Sequence, residues 1–312
     1  MIDIAYLENI KLVSIPRAQK LIARLFLTPN YNFFAKVEIQ IEGIEKIPRD
    51  KNVIFAMNHT DRYNYWPFQY KLWKAKDFPF TTVWVKGKYY RNATVAKVLD
   101  ACNLIPVPSM KYLIEEFFVK KFGRRIRREE YRALKDIIAG KEDAGNSLTI
   151  KSLELATLIR ENFIEFITSY YGAIMERVAE LSKEALLEKN LSLIIFPEGT
   201  RSIKMGEGKT GLAQLALNTE TTIIPVGCNN SEQIYSGNLP FAKSGRVLYK
   251  VGDPLSFDGK LKKYRIKKGF KLFSAESKLK YETKFEEVTR IVMENIDRLV
   301  DERYRRQNRE YL

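Results

Sequence analysis

The single imidazole of this 312-residue chain stands in Asn58-His59-Thr60-Asp61-Arg62-Tyr63-Asn64, directly after the apolar run Val53-Ile54-Phe55-Ala56. A histidine titrates near neutrality, so one placed at a strand end among polar side chains is a candidate general base. A surface histidine, or one satisfied in the core, is the plain alternative. A second polar turn, Phe196-Pro197-Glu198-Gly199-Thr200-Arg201-Ser202, follows the apolar residues Leu193-Ile194-Ile195. Backbone N–H groups, a hydroxyl and a guanidinium brought together in this way suit a phosphate dianion, cradled by amides and gripped by arginine. An ordinary turn carrying a surface arginine is the alternative here. With one histidine, a histidine-based metal cluster is excluded. Cys102 and Cys228 lie far apart and form no Cys-x-x-Cys, so neither a disulfide framework nor a cysteine zinc site is expected, which suits a reducing compartment.

These turns need a scaffold, and the pattern around them supplies one. Val37-Glu38-Ile39-Gln40-Ile41 alternates as a strand does, and Gly43 to Lys51 is turn-rich. Further β signals are Thr81–Val85, Leu104–Val107, Leu193–Phe196, Thr222–Val226 and Val247–Val251, with helical stretches such as Thr210–Leu217 between them. Buried strands alternating with helices predict an α/β sheet covered on both faces, and the carboxyl ends of such strands are where ligands bind. Residues 110–190 read as a helical insertion. Its first part is basic, with Lys120, Lys121, Arg124, Arg125, Arg127 and Arg128. Its second part carries Leu155, Ile159, Phe163, Ile167, Tyr170, Ile174 and Val178 at helical spacing, a stripe expected to pack on the core. A lysine-rich segment, Lys260 to Lys271, precedes an amphipathic helix (Phe285, Val288, Ile291, Val292, Ile296, Leu299) and a charged tail.

Lys and Arg number 53 against 38 Asp and Glu, a formal net charge of +15. Such a surface attracts anionic partners: nucleic acid, an anionic bilayer or a phosphorylated substrate. The acid at Asp3 breaks the cationic leader of a signal peptide, so secretion is not expected, and no apolar run is long enough to span a bilayer. Residues 16–27, wound as a helix, place Ala18, Leu21, Ile22, Leu25 and Phe26 on one arc beside Arg17, Lys20 and Arg24. That arrangement suits a helix lying in a membrane interface, with a helix capping the core as the alternative.

Taken together, the two polar turns resemble those of the glycerolipid acyltransferase family, typified by 1-acylglycerol-3-phosphate acyltransferases. The likeness rests on the family's Asn-His-x-x-x-x-Asp block, represented by Asn58 to Asn64, and on Phe-Pro-Glu-Gly-Thr-Arg-Ser, unaltered at 196–202. It continues through Gly208-Lys209-Thr210-Gly211-Leu212-Ala213 and Ile224-Pro225-Val226, and runs from about residue 35 to about residue 300 apart from the insertion. The resemblance implies an α/β fold of the glycerol-3-phosphate acyltransferase type, a mixed sheet flanked by helices. It implies an acyltransferase domain over 35–312, preceded by a membrane-associating segment over 1–34. It also implies O-acyl transfer from a thioester, acyl-CoA or acyl-ACP as co-substrate, to the hydroxyl of a lysophospholipid or glycerol-phosphate acceptor, with no metal and no other cofactor. His59 would then be the general base, and Glu198, Gly199, Thr200 and Arg201 would hold the acceptor's phosphate, although Glu198 is equally read as a carboxylate bracing the turn.

Two departures from the family stand out. Asn64 occupies the position of its aspartate: an amide can fix the imidazole tautomer but does not stabilise the imidazolium, and Asp61 could substitute only if the turn is irregular. Where the family places Asp-Arg after Ile105-Pro106-Val107, this chain has Pro108 and Ser109, so that either Lys86, Lys111 or a residue of the basic insertion meets the phosphate, or the acceptor's head group differs. The expected partners are the acyl donor, the lysophospholipid and an anionic membrane at its cytoplasmic face, with no nucleic acid. A catalytically weak or silent relative that binds membrane lipid, and a basic nucleic-acid-binding protein, are the rival readings.

Overall fold

The runs that read as strands from sequence pair into one sheet. The computed structural model describes residues 2–141 and 152–306, so part of the helical insertion and the end of the charged tail lie outside the described residues. The strands are β1 (Val37–Glu42), β2 (Ile54–Met57), β3 (Thr81–Lys86), β4 (Ile105–Val107), β5 (Ser192–Ile195), β6 (Ile223–Asn229) and β7 (Gly245–Val251), in the order β1-β7-β6-β2-β5-β3-β4. The pairs β6–β2, β2–β5 and β5–β3 are parallel, β7 runs antiparallel to β6, and β1 lies parallel to β7. The protein is therefore α/β with a mixed sheet, and its central strands β2, β5 and β6 are buried at every residue, as their unbroken apolar runs require.

The helices, in chain order, are α1 (Ile4–Glu8), α2 (Arg17–Ile22), α3 (Trp66–Ala75), α4 (Ala93–Ala101), α5 (Met110–Phe122), α6 (Arg128–Ile138), α7 (Leu153–Arg160), α8 (Phe163–Lys183), α9 (Gly211–Thr219), α10 (Ser231–Ile234) and α11 (Ala275–Leu299). The chain divides into two compact units. The first is Met1–Ile10, Val85–Ala96 and Pro106–Val178; the second is Lys11–Trp84, Lys97–Ile105 and Ala179–Leu312, with β3 and β4 each passing from the second into the first.

In the second unit the sheet is covered on both faces, because successive strand side chains point to opposite sides. Ile54 and Ala56 of β2 join Leu193 and Ile195 of β5 in a core closed by Leu212, Leu215 and Ala216 of α9 and Val288, Val292 and Ile296 of α11. Phe55 points the other way, edge-on to Phe68 of α3 with ring centroids 5.1 Å apart. Gly208 permits the close approach of the chain to α11, since a Cβ there would lie 2.6 Å from Met293 Cγ. In the lysine-rich segment, Leu261 and Tyr264 are buried while the lysines face solvent.

The N-terminal segment is α-helical over only part of the stretch that its spacing suggests. After α2 the chain widens into π-helical turns at Ala23–Leu27 and Asn30–Phe34. Wider turns change which residues share a face. Ala23, Leu27 and Tyr31 are buried, while Leu21, Leu25, Phe33 and Phe34 are exposed.

The first unit contains α5, α6 and α7, and α8 as far as Val178. Leu155, Phe163, Ile167, Ile174 and Val178 are buried, so most of that stripe packs internally. Part of its basic face is already engaged: Arg124 grips Glu130 through both guanidinium nitrogens, at 2.9 and 2.7 Å, and reaches Glu154 at 3.3 Å. Lys121 pairs with Glu161.

Candidate active site

Strand register brings the two polar turns together. Ala56 of β2 lies opposite Ile195 of the parallel neighbour β5. Three residues further along each strand come His59 and Glu198, at the carboxyl edge of the sheet. There the His59 N–H donates to Glu198 Oε1 at 2.9 Å, and the Ser202 N–H donates to the His59 carbonyl at 2.9 Å. The imidazole stacks on the Phe196 ring, centroids 4.1 Å apart and planes 18° from parallel. Residues 139 apart in sequence thus form one surface.

The ring's second constraint comes from its own turn, which is irregular rather than helical. His59 Nδ1 lies 3.3 Å from Asn64 Oδ1, and Asn64 Nδ2 donates to the Asn58 carbonyl at 2.8 Å. That donation fixes the amide with its oxygen toward the ring. An amide oxygen only accepts, so Nδ1 carries the proton, and in the neutral ring Nε2 carries the lone pair. Asn64 is fully buried, and the Tyr249 hydroxyl donates to its backbone carbonyl at 2.6 Å. Asn58 is clamped to β6: its Nδ2 donates to the Cys228 carbonyl at 3.0 Å and its Oδ1 accepts the Cys228 N–H at 2.7 Å. Asp61 is also buried. Its carboxylate accepts the Tyr63 N–H at 2.8 Å and the Thr60 hydroxyl at 3.1 Å, and burial pushes its pKa up to about 6.

The second turn is pinned at intervals. Glu198 is buried and uses both carboxylate oxygens on backbone amides, those of His59 and, at 2.8 Å, of Gly206. Burial raises its pKa, and those two donors pull it back. Its geometry is that of a brace positioning His59. Gly199 adopts φ +65°, a left-handed turn that glycine takes without penalty, and its N–H donates to the Phe196 carbonyl at 3.0 Å. The Lys209 N–H donates to the Pro197 carbonyl at 2.9 Å, closing the loop.

Between these pins Thr200 and Arg201 are exposed, and among the described residues neither their N–H groups nor the Arg201 guanidinium has a hydrogen-bond acceptor. Two unclaimed amides, a hydroxyl and a guanidinium beside a left-handed glycine are the donor types that an anion cradle requires. Lys86, the last residue of β3, belongs to the other unit and is half-buried there. Among the described residues no group of three His, Cys, Asp or Glu side chains is placed to hold a metal ion. Phe196, Asn58 and Tyr249 complete the support of the histidine. The first two stood inside the motifs, and Tyr249 had no signal beyond its place in a strand.

Residues 160–229 match the family described as Acyltransferase. The chain resembles the glycerolipid acyltransferases. The matched stretch contains β5, the 196–202 turn and β6; His59 lies outside it and joins it through the register of β2. Over 90 residues the chain is 35% identical to a 1-acyl-sn-glycerol-3-phosphate acyltransferase of Cocos nucifera, covering 28% of this chain and 29% of that relative. The solved structure of the 1-acyl-sn-glycerophosphate acyltransferase PlsC from Thermotoga maritima superposes with a TM-score of 0.42 at 17% identity, over 88% of this chain and 78% of that one. No described helix is long and apolar enough to cross a membrane.

Proposed function

We propose that the protein is an O-acyltransferase that moves a fatty acyl chain from a thioester, acyl-CoA or acyl-ACP, to the hydroxyl of a lysophospholipid or glycerol-phosphate acceptor. The observation that carries this reading is the adjacency of an imidazole whose Nε2 bears the lone pair to an anion cradle at Thr200 and Arg201. In the reaction, Nε2 takes the proton of the acceptor hydroxyl as its oxygen attacks the thioester carbonyl. The new C–O bond forms, the C–S bond breaks, and the leaving thiolate recovers the proton from the imidazolium. Arg201 and the two amides anchor the acceptor's phosphate, which fixes its hydroxyl near the base and removes much of the entropic cost of their encounter. Glu198 positions the His59 backbone, and Phe196 the plane of its ring.

Asn64 favours a slower enzyme than one with a carboxylate in its place. It holds the tautomer, but a neutral amide stabilises the imidazolium less than a charge would. A silent lipid-binding relative is the limit of that tendency. Purified protein offered a panel of acyl thioesters and lysolipid acceptors, with products read by mass spectrometry, separates the two: acylated product supports the enzyme, and none from any pair leaves the silent relative.

The site would work at an anionic membrane, on its cytoplasmic face. Phe33 and Phe34 are 85% and 82% exposed, and Leu21 and Leu25 are exposed nearby in sequence. The segment carrying exposed Leu239 and Phe241 is tied to the same region: Asn30 Nδ2 donates to the Pro240 carbonyl at 3.1 Å, and Asn30 Oδ1 accepts the Ala242 N–H at 3.0 Å. Arg17, Lys20, Arg24, Lys36 and Lys243 are interspersed along these segments, the mixture that suits acidic lipid head groups.

A further inference from the structure

The family's second phosphate-binding cation is missing after β4, where Pro108 and Ser109 stand. Lys111 does not replace it as a free charge, since its ammonium lies 3.8 Å from Glu115 and over the Tyr131 ring. Another cation lies against the cradle itself. The Lys209 side chain runs alongside Gly199 so closely that a Cβ built there would be 3.2 Å from Nζ, 3.3 Å from Cδ and 3.4 Å from Cε. Its backbone is anchored on both sides: its own N–H holds the Pro197 carbonyl, and Gly208 before it packs against Met293 and Thr289. Among the described residues its ammonium has no carboxylate partner, and it is exposed.

We propose that Lys209 is the second anchor of the acceptor's phosphate, acting with Arg201 and the Thr200 and Arg201 amides. This rests on the acyl-transfer reading for the identity of the ligand, but not for the anion site itself. A lysine fits the role because it is a flexible point charge, able to follow a phosphate across the turn while Arg201 sets its orientation. Gly199 serves both partners: it supplies the left-handed turn that exposes the next two amides, and its missing side chain leaves the space that the lysine occupies.

The test compares wild type, Lys209→Ala and Lys209→Arg as full-length protein in two measurements. In steady-state transfer to a lysolipid with a terminal phosphate, Lys209→Ala should raise KM about tenfold or more, the loss of one charge-assisted contact, while kcat changes little and arginine restores most of the loss. In an NMR titration with sn-glycerol 3-phosphate, the Thr200 and Arg201 amide signals should shift, and in Lys209→Ala they should need a correspondingly higher concentration. Transfer with an unchanged KM in Lys209→Ala overturns the anchor and leaves acyl transfer standing. No transfer by wild type, with amide shifts that depend on Lys209, overturns acyl transfer and leaves the anchor. Amide signals that do not respond to the phosphate, or respond equally in the variant, also overturn the anchor.

Discussion

The proposed chemistry depends on how one ring is held. His59 is set by Asn64 at Nδ1, by Phe196 against its face and by Glu198 at its N–H. Asn64→Asp is expected to raise kcat, because a carboxylate at Nδ1 stabilises the imidazolium. It also removes the donor to the Asn58 carbonyl and sets a charge facing that oxygen, so stability should fall by about 1–3 kcal/mol; stopped assays together with thermal melts read both effects. Asp61 gives a pH signature. Its folded pKa of about 6 lies above the ordinary 3.8, so its favourable contribution is complete below pH 3.8 and is lost as pH rises through 6. Asp61→Asn should therefore raise the melting temperature at pH 7.5, with a gain that disappears near pH 4; a gain equal at both pH values would contradict the assignment. Both polar turns were visible in the sequence because they crowd functional side chains after apolar runs. The part played by Asn64 was only half visible, since nothing in the sequence shows that Asn58 orients its amide.

At the level of elements, all seven strands were legible, because continuous apolar runs between turns leave few other readings. The register that joins β2 to β5 was not, since pairing between distant segments depends on the whole sheet. That register makes Glu198 a brace, a role the sequence could weigh only as one of two. Glu198→Ala strands two backbone N–H groups, so a loss of about 1–3 kcal/mol and a fall in kcat are expected, while Glu198→Gln, which keeps one acceptor, should lose less. Chemical denaturation and initial rates measure the two effects. In the insertion, Arg124 holds the Glu130 carboxyl down at about 2. The stability this pair provides is present above the ordinary carboxylate value of 4.5 and is lost as pH falls toward 2. Glu130→Gln should flatten the acid limb of unfolding followed by circular dichroism between those values. In the N-terminal segment the 3.6-residue spacing used to place the apolar arc holds only as far as Ile22, because π-helical turns follow it.

Over the whole molecule, a charge of +15 and the exposed aromatic and aliphatic residues near the N-terminus favour an anionic bilayer as the working surface. Phe33→Ser with Phe34→Ser should weaken sedimentation with phosphatidylglycerol vesicles at every salt concentration. Neutralising Arg125, Arg127 and Arg128 should weaken it chiefly at low salt, because screening removes the charge contribution and not the apolar one. Equal binding by both variants would assign the membrane surface elsewhere, and stronger binding to RNA than to vesicles would favour the nucleic-acid reading. Net charge alone pointed only to the class of anionic partners; which residues stay exposed to meet one followed from the fold. The proposed function turns on one chemical event, removal of a proton from an alcohol by His59. The decisive measurement is the rate of acylated-lipid formation by His59→Ala against wild type under the best donor and acceptor, with circular dichroism showing both folded. A fall of about 10²–10⁴-fold is the expected result, and a variant that keeps the wild-type rate would contradict the account.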